Sequence, residues 1–386
     1  MNTPKILYFT PGCFDKGGIS RYNRFQIRAL REIAGEANVQ VFSLLPRSKD
    51  DLEEPFDVAW APVSSSHTLN KLDFSARVAL RALRSKPDVI WVAHVYMSPL
   101  AVGLARMVKA KTVLNTYGLE VWSGLSPPRQ RGLRACEEVI ADCRFTARYL
   151  EDSGYRAPDS VKVIWDTVDV SRFTPGLPPR SVVEKYRIPD PAAHVNLLTL
   201  GRMSRGADHK GYRRLLEAFA LAAPRVPELR LVYGGSGELV EVLRERAHAL
   251  GFGDRVHFTG SVHEADLPDV YRCGHIFSLV SDRSTGRGEG VPVTPLEAAA
   301  CALPILVGNQ DGSPEAVEAG GNGYVLDSFD LPAHAEAIVE LARSPESRSR
   351  MGAAGARRVN SEFSYNTFRD KHRAFLESLS SPPSSP

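Results

Sequence analysis

Two glutamates, Glu289 and Glu297, stand eight positions apart in the run GRGEGVPVTPLEAAACALP. A carboxylate on a loop accepts hydrogen bonds from the hydroxyls of a polyol, and one at a helix start, eight residues on, does so a nucleoside diphosphate's breadth away. Between them Gly290 frees the backbone to offer N–H groups to an anion. A sugar, a phosphate and a ribose in a row would meet all three elements. Two surface carboxylates, one of them capping a helix, would give the same spacing. Upstream, GRMSRGADHKGY (201–212) ends a strand-like run with Arg202 and places Lys210 before a glycine that opens a helix. A forked guanidinium and a point-charge ammonium suit a diphosphate there, although surface charges would look alike. Gly17-Gly18 follows the first apolar run and opens another helix. Its amides and the helix dipole favour an anion; an ordinary tight turn is the alternative. Behind it Arg21, Arg24, Arg28 and Arg31 fall on one helix face, either as a solvated stripe or as an anion contact.

Other chemistries lack their residues. LVYGGSGE (231–238) does not complete G-x-G-x-x-G, and no phosphate-binding G-x-x-x-x-G-K-[ST] occurs. Without D-x-D or H-E-x-x-H no dedicated metal site is expected, and without G-x-S-x-G no serine hydrolase. The net charge of +3 is too small to argue for nucleic acid. Residues 1–175 hold 24 Lys and Arg against 19 Asp and Glu, and the remainder 24 against 26, so the N-terminal half is the one that would face something anionic. Cys13, Cys136, Cys143, Cys273 and Cys301 form no C-x-x-C pair, which suits reduced thiols in a cytoplasm. The start, MNTPKILYFTPG, has too short an apolar run for a signal peptide. The most apolar segment, 89–108, carries His94, Pro99, Gly103 and Arg106 and reads as a strand, a loop and a helix rather than a membrane span.

The elements that must position these residues alternate. Strands are expected at 5–10, 39–45, 88–94, 112–117 and 160–166, with a further one in ACEEVIADC, and helices at 20–35 and 74–86. A second set follows: strands at 195–202, 229–237, 255–260, 275–281 and 304–309, and helices at 211–226 and after Glu238. Short continuous apolar strands separated by helices imply parallel sheets covered on both faces. With 386 residues, two doubly wound α/β domains are expected: 1–172, a linker at 173–193 within a Pro-rich break, and 194–363. A helix at about 364–378 would pack back on the first domain, and 379–386 would be a disordered tail.

Taken in order, these pieces resemble retaining glycosyltransferase family 4, of the GT-B fold, over nearly the whole chain. GRMSRGADHKGYRRLLEAFA, LVYGGSGE, DRVHFTGSV and GEGVPVTPLEAAACALPILVGNQDGSPEAV carry the likeness in the second half; GGISRY, PDVIWVAH, NTYGLEVW and VIWDTVDVSRFTP carry it in the first. The resemblance implies two Rossmann-like domains facing across a cleft. Arg202 and Lys210 would hold the donor diphosphate, Glu297 the ribose and Glu289 the transferred sugar. Amides at Gly290, Val291 and Val293 would touch sugar or phosphate, and Val262 would lie near the base. Gly17 and Gly18 would approach the diphosphate, His94 would line the cleft, and Arg21, Tyr117 and Glu120 would meet acceptor or sugar. It further implies a metal-independent, retaining hexosyltransferase with no cofactor beyond its UDP- or GDP-linked donor. The acceptor would be a saccharide or a lipid-linked molecule of cell-surface polysaccharide or glycolipid synthesis. The departing phosphate would take the acceptor proton. The chain departs from the pattern at Tyr117-Gly118, where the family has His-Gly, and at Pro292, which has no N–H to offer. Asp166-Thr167 replaces Asn-Gly, and the Arg202 to Lys210 spacing is long.

These departures leave a second reading, a sugar-nucleotide-binding scaffold without catalysis, and a third, a GT-B epimerase. A cytoplasmic protein, peripheral on the inner face of a membrane, is expected on one further ground. The helix at 74–86 carries Arg77, Arg81, Arg84 and Lys86 with Phe74, Val78 and Leu83 as apolar partners. That suits an anionic lipid surface, or else a solvated face packed on the sheet.

Overall fold

The computed structural model describes residues 3–15, 17–47, 56–62, 67–283, 287–318 and 320–380. The chain forms two compact units, Met1–Thr167 with Tyr365–Pro386, and Val168–Ser364. The first unit runs β1 (Ile6–Thr10), α1 (Gly18–Ala34), β2 (Val39–Ser43), α2 (His67–Ser85), β3 (Val89–Val92), α3 (Ser98–Val108), β4 (Lys111–Thr116), α4 (Leu119–Trp122), α5 (Pro127–Ala135), β5 (Glu138–Ala141), α6 (Arg144–Asp152) and β6 (Val161–Val163). Its strands form one parallel sheet in the order β2-β1-β3-β4-β5-β6.

The second unit runs α7 (Arg180–Lys185), β7 (Val195–Leu200), α8 (Tyr212–Ala222), β8 (Leu229–Gly234), α9 (Leu239–Ala249), β9 (Val256–Phe258), α10 (Leu267–Arg272), β10 (Ile276–Leu279), α11 (Val293–Ala300), β11 (Ile305–Gly308), β12 (Gly323–Leu326), α12 (Leu331–Arg343) and α13 (Pro345–Glu362). Its parallel sheet has the order β12-β11-β10-β7-β8-β9. The last helix, α14 (Tyr365–Ser380), belongs to the first unit.

Both sheets are Rossmann-like, and the apolar runs explain why. Every residue of β1, β3 and β7 is buried, as strands covered by helices on two faces must be. In the first unit one core lies between the sheet and α2, α3, α5 and α6. The other lies against α1 and α14, where Ile27, Leu30, Phe368 and Phe375 meet Tyr8 and Trp91. The α14 helix is fixed on α1 by the edge-to-face Tyr22–Phe368 pair, 5.3 Å between centroids, and by Gln26 facing His372 at 2.9 Å.

Three expectations need correction. Helix α2 begins seven residues before the expected Phe74, at His67. The expected linker holds a helix, α7. The edge strand β12 escaped notice because it is four residues long and only one of them is buried, so it shows neither an apolar run nor a clean alternation. The expected tail at 379–386 lies outside the described residues beyond Ser380, where α14 ends.

Burial holds four histidines neutral. His94, His275, His334 and His372 are each lowered from 6.5 to about 4, with burial the main cause. His372 shows the geometry: one nitrogen lies 2.9 Å from the Phe368 carbonyl and the other 2.9 Å from the Gln26 amide nitrogen. A folded pKa below the unfolded one contributes stability that is complete above 6.5 and is lost as pH falls toward 4. Glu120 acts in the opposite sense, since burial raises it from 4.5 to about 7, and Asp311 is raised by burial too, but the histidines, which His257 joins in direction, outnumber them. Melting temperature should therefore fall steadily between pH 6.5 and 4, and His372→Gln should flatten that slope. A melting temperature constant over this range would contradict the assignment.

Candidate active site

In the second sheet β7 lies between β8 and β10. The chain leaves β7 in one direction and returns on its other side, so the C-terminal ends of β7 and β10 bound the crevice where open α/β sheets bind ligands. Arg202 lies two residues beyond the end of β7, is exposed, and has no partner among the described residues. The chain then makes a 3-10 turn, Arg205–Lys210, and enters α8 through Gly211. That turn is fastened over the exit of β10, because the Asp282 amide donates to the His209 carbonyl at 2.8 Å. Arg287 also donates to the Gly206 carbonyl.

This arrangement brings Lys210 and Glu289 into contact. Lys210 Nζ lies 2.9 Å from Glu289 Oε1, and His209 Nε2 donates to the same oxygen at 3.0 Å. Burial alone would raise the Glu289 carboxyl, but the Lys210 charge and the His209 hydrogen bond outweigh it and hold its pKa at about 2. Burial likewise works against the Lys210 ammonium, and Glu289 more than offsets it, so its pKa ends above 10.5. Both are therefore ionised at neutral pH, and His209 must carry its proton on Nε2. The second carboxylate oxygen, Oε2, has no partner among the described residues.

The Glu289 backbone is pinned as firmly. Its amide donates to Asp311 Oδ2 at 2.9 Å, and its carbonyl accepts from the Gly312 amide at 3.0 Å. Asp311 is itself held by Ser281 Oγ (2.8 Å) and the Ser313 amide (2.9 Å). The amides of Gly290, Val291 and Val293 find no partner among the described residues, as suits groups left for a ligand at the start of α11. Glu297 lies buried in the second turn of α11, where Tyr271 donates to its Oε2 at 2.8 Å. Val262 is half-buried in the loop after β9. Among the described residues no group of three or more His, Cys, Asp or Glu is placed to hold a metal ion.

The glycines of GGSG serve the frame. The Met203 amide donates to the Ser236 carbonyl at 2.9 Å and the Leu239 amide to the Met203 carbonyl at 2.8 Å. The loops after β7 and β8 thus lie backbone to backbone. Gly237 has φ +147, and a Cβ there would sit 2.3 Å from the Met203 carbonyl oxygen.

In the first unit the corresponding switch lies between β1 and β3. Gly17 caps α1, and its amide donates to Asp15 Oδ2 at 3.1 Å. A carboxylate of the chain itself thus occupies the place expected for an anion. Gly18 opens the helix with no atom within 4 Å of where a Cβ would stand. The arginine stripe is put to internal use. Arg24 donates to the Cys13 and Asp15 carbonyls at 2.9 Å each, Arg21 to the Thr167 carbonyl at 2.8 Å, and Arg31 to the Asp57 carbonyl at 2.9 Å. His94, after β3, is neutral; its Nδ1 accepts from the Tyr96 amide at 3.3 Å, and Arg129 lies 3.8 Å over the Tyr96 ring. Tyr117 does not present its hydroxyl outward. The hydroxyl donates to Asn23 Oδ1 at 2.6 Å and accepts from Asn115 Nδ2 at 2.9 Å. Glu120 turns back on its own chain and accepts from the Tyr117 amide at 2.6 Å.

Sequence reasoning missed His209, Asp311 and Tyr271. His209 adjoins a chosen lysine, and Asp311 sits inside the quoted GNQDGS, so both were in view without a role. Tyr271 gave no signal, because only the fold brings it to Glu297.

A family model described as Glycosyl transferases group 1 matches residues 194–358, and one described as Glycosyltransferase Family 4 matches 16–172. A Mycobacterium tuberculosis relative, a GDP-mannose-dependent alpha-(1-6)-phosphatidylinositol monomannoside mannosyltransferase, is 30% identical over 309 residues, 78% of each chain. A Corynebacterium glutamicum relative, described as acting on the monoacylated form, is 26% identical over 302 residues, 75% of this chain and 76% of that one. The solved structure of Anabaena HepE in complex with UDP superposes with a TM-score of 0.76 at 19% identity, covering 97% of this chain and 100% of that one. The fold, the two family models and the 30% identical relative define a glycosyltransferase of the GT-B kind. The chain belongs to glycosyltransferase family 4.

The loop contact makes a direct prediction. Gly237→Ala places a side chain against the Met203 carbonyl at a φ that only glycine adopts freely, and should destabilise the second unit by about 1–3 kcal/mol. A denaturant titration reads this; a midpoint equal to wild type would show that the two loops are not in contact.

Proposed function

We propose that this glycosyltransferase moves a mannosyl group from GDP-mannose to a hydroxyl of a lipid-linked acceptor, with retention at the anomeric carbon and without a metal ion. The observation that carries a nucleotide-sugar donor is the Lys210–Glu289 contact at the β7–β10 switch, where cationic and hydroxyl-binding groups adjoin. What favours GDP, mannose and a lipid acceptor is the description of the relatives in Mycobacterium tuberculosis and Corynebacterium glutamicum.

The chemistry follows from the charges. As the bond from the anomeric carbon to the phosphate oxygen lengthens, positive charge grows on the sugar and negative charge on the diphosphate. Lys210 and Arg202 neutralise the diphosphate in the role a metal fills elsewhere. Glu289 Oε2 accepts a sugar hydroxyl and Glu297 the ribose. The acceptor oxygen bonds to the anomeric carbon on the face the phosphate leaves, and its proton passes to the departing phosphate oxygen.

The acceptor side suggests a membrane. Phe74 and Val78, expected to face lipid, belong instead to the core with Ala82. The outer face of α2 shows Leu69, Leu72, Leu80 and Leu83, exposed by 68%, 66%, 48% and 47%, beside exposed Lys71, Arg77, Arg81 and Arg84. Leucines at this helical spacing, flanked by cations, suit an anionic bilayer surface, with each basic residue worth about 1 kcal/mol there. No helix among the described residues is long and apolar enough to cross a membrane.

Two experiments test this. Transfer from GDP-mannose to an extracted mannolipid acceptor should proceed in EDTA, and Lys210→Ala or Glu289→Ala should lower turnover by about 10²–10³-fold. Near-normal turnover in both variants would defeat the site assignment, and transfer from UDP-glucose alone would defeat the donor. In flotation, the protein should rise with anionic vesicles, be released by high salt, and fail to rise as Leu72→Glu/Leu80→Glu. Equal flotation with neutral vesicles would remove the membrane reading.

A further inference from the structure

Glu289 Oε1 takes hydrogen bonds from two side chains at once, Lys210 at 2.9 Å and His209 at 3.0 Å. These partners respond differently when a nucleotide sugar arrives. A diphosphate brings two negative charges against the single charge of a carboxylate, so it draws the ammonium away from Oε1. The imidazole is held where it is. Its side chain is 11% exposed, its carbonyl accepts from the Asp282 amide, and its turn is tied at Gly206 by Arg287. Its other nitrogen, Nδ1, is buried with no partner, so the ring's side-chain hydrogen bond goes to Glu289. A buried ring nitrogen without a partner is costly and asks for a reason.

We propose that His209 is a positioning residue for the donor sugar. It keeps Glu289 Oε1 engaged when Lys210 turns to the diphosphate, so that Oε2 remains fixed for a sugar hydroxyl. A carboxylate that lost both partners would rotate toward whichever cation was nearest, and the diphosphate and the sugar would then compete for the same two side chains. With His209 in place, the phosphate-binding and sugar-binding tasks are separated although their residues are adjacent in sequence and share one oxygen.

The proposal rests on reading the donor as a nucleotide sugar, and its test separates the two. Dissociation constants for GDP and for GDP-mannose, and turnover, are measured on the full chain for wild type, His209→Leu, His209→Asn and His209→Gln. Glutamine carries an N–H at about the reach of Nε2. Leucine has none, and asparagine is polar but too short, which keeps the comparison informative if leucine unfolds the turn. GDP has no sugar, so its affinity should be the same in all four. With GDP-mannose, kcat/KM should fall by about 10–100-fold in His209→Leu and His209→Asn, as expected for one lost hydrogen bond to a charged group, and His209→Gln should recover most of it. Loss of GDP affinity in step with turnover, a glutamine variant as impaired as leucine, or wild-type turnover in His209→Leu would each overturn the proposal. A wild-type protein that binds neither ligand would instead refute the nucleotide-sugar reading.

Discussion

The site depends on keeping a lysine and a glutamate charged in a half-buried crevice. Removing either charge from water alone is unfavourable. Lys210 and Glu289 solve this by standing 2.9 Å apart, each shifting the other toward its ionised form. The rest of the crevice is built to hold that distance. Asp311 and Gly312 fix the glutamate backbone, and Asp282 and Arg287 fix the turn that carries the lysine. Under the proposed function the lysine of this pair would pass to a diphosphate, and the glutamate would accept a hydroxyl.

The two halves differ in how far their chemistry was legible. In the second unit Lys210 and Glu289 stood out because they follow strands, and strands announce themselves as apolar runs. Their contact was not readable, since it depends on a turn whose shape no periodicity reports. In the first unit the parallel sheet was equally plain, with β1 to β6 found near their expected positions. The side chains there were harder. Arg21, Arg24 and Arg31 have the types and spacing of an anion-binding face, yet each finds a backbone carbonyl. Local sequence shows which residue carries a charge but not which loop ends within its reach.

Tyr117 illustrates the same limit from the packing side. Where the family pattern has a histidine, this chain has a tyrosine whose hydroxyl lies in a buried network with Asn23 and Asn115. Gln26 joins that network through Asn115 and Tyr8, and faces His372 on α14. Buried polar groups must be satisfied, and here one set of bonds satisfies groups from β1, α1, β4 and the last helix together. The substitution is thus explained by the interior it completes. The same network ties in a C-terminal helix that belongs to the first unit although the second lies between them in sequence, since Gln26 and His372 meet at 2.9 Å.

The same economy of partners governs α2. Its core-facing positions, Phe74, Val78 and Ala82, recur every four residues and bind it to the sheet. That leaves Leu69, Leu72, Leu80 and Leu83 exposed on its outer side. Single exposed leucines need no explanation. Four on one helix, interleaved with cations, leave apolar surface in water at a cost of roughly 25 cal/mol per Å². An amphipathic surface of that kind suits the anionic bilayer interface proposed above. Under that proposal the acyl chains would meet the leucines and the phosphates would meet the arginines. The helix that holds the first sheet together would then also set the depth at which the acceptor is met.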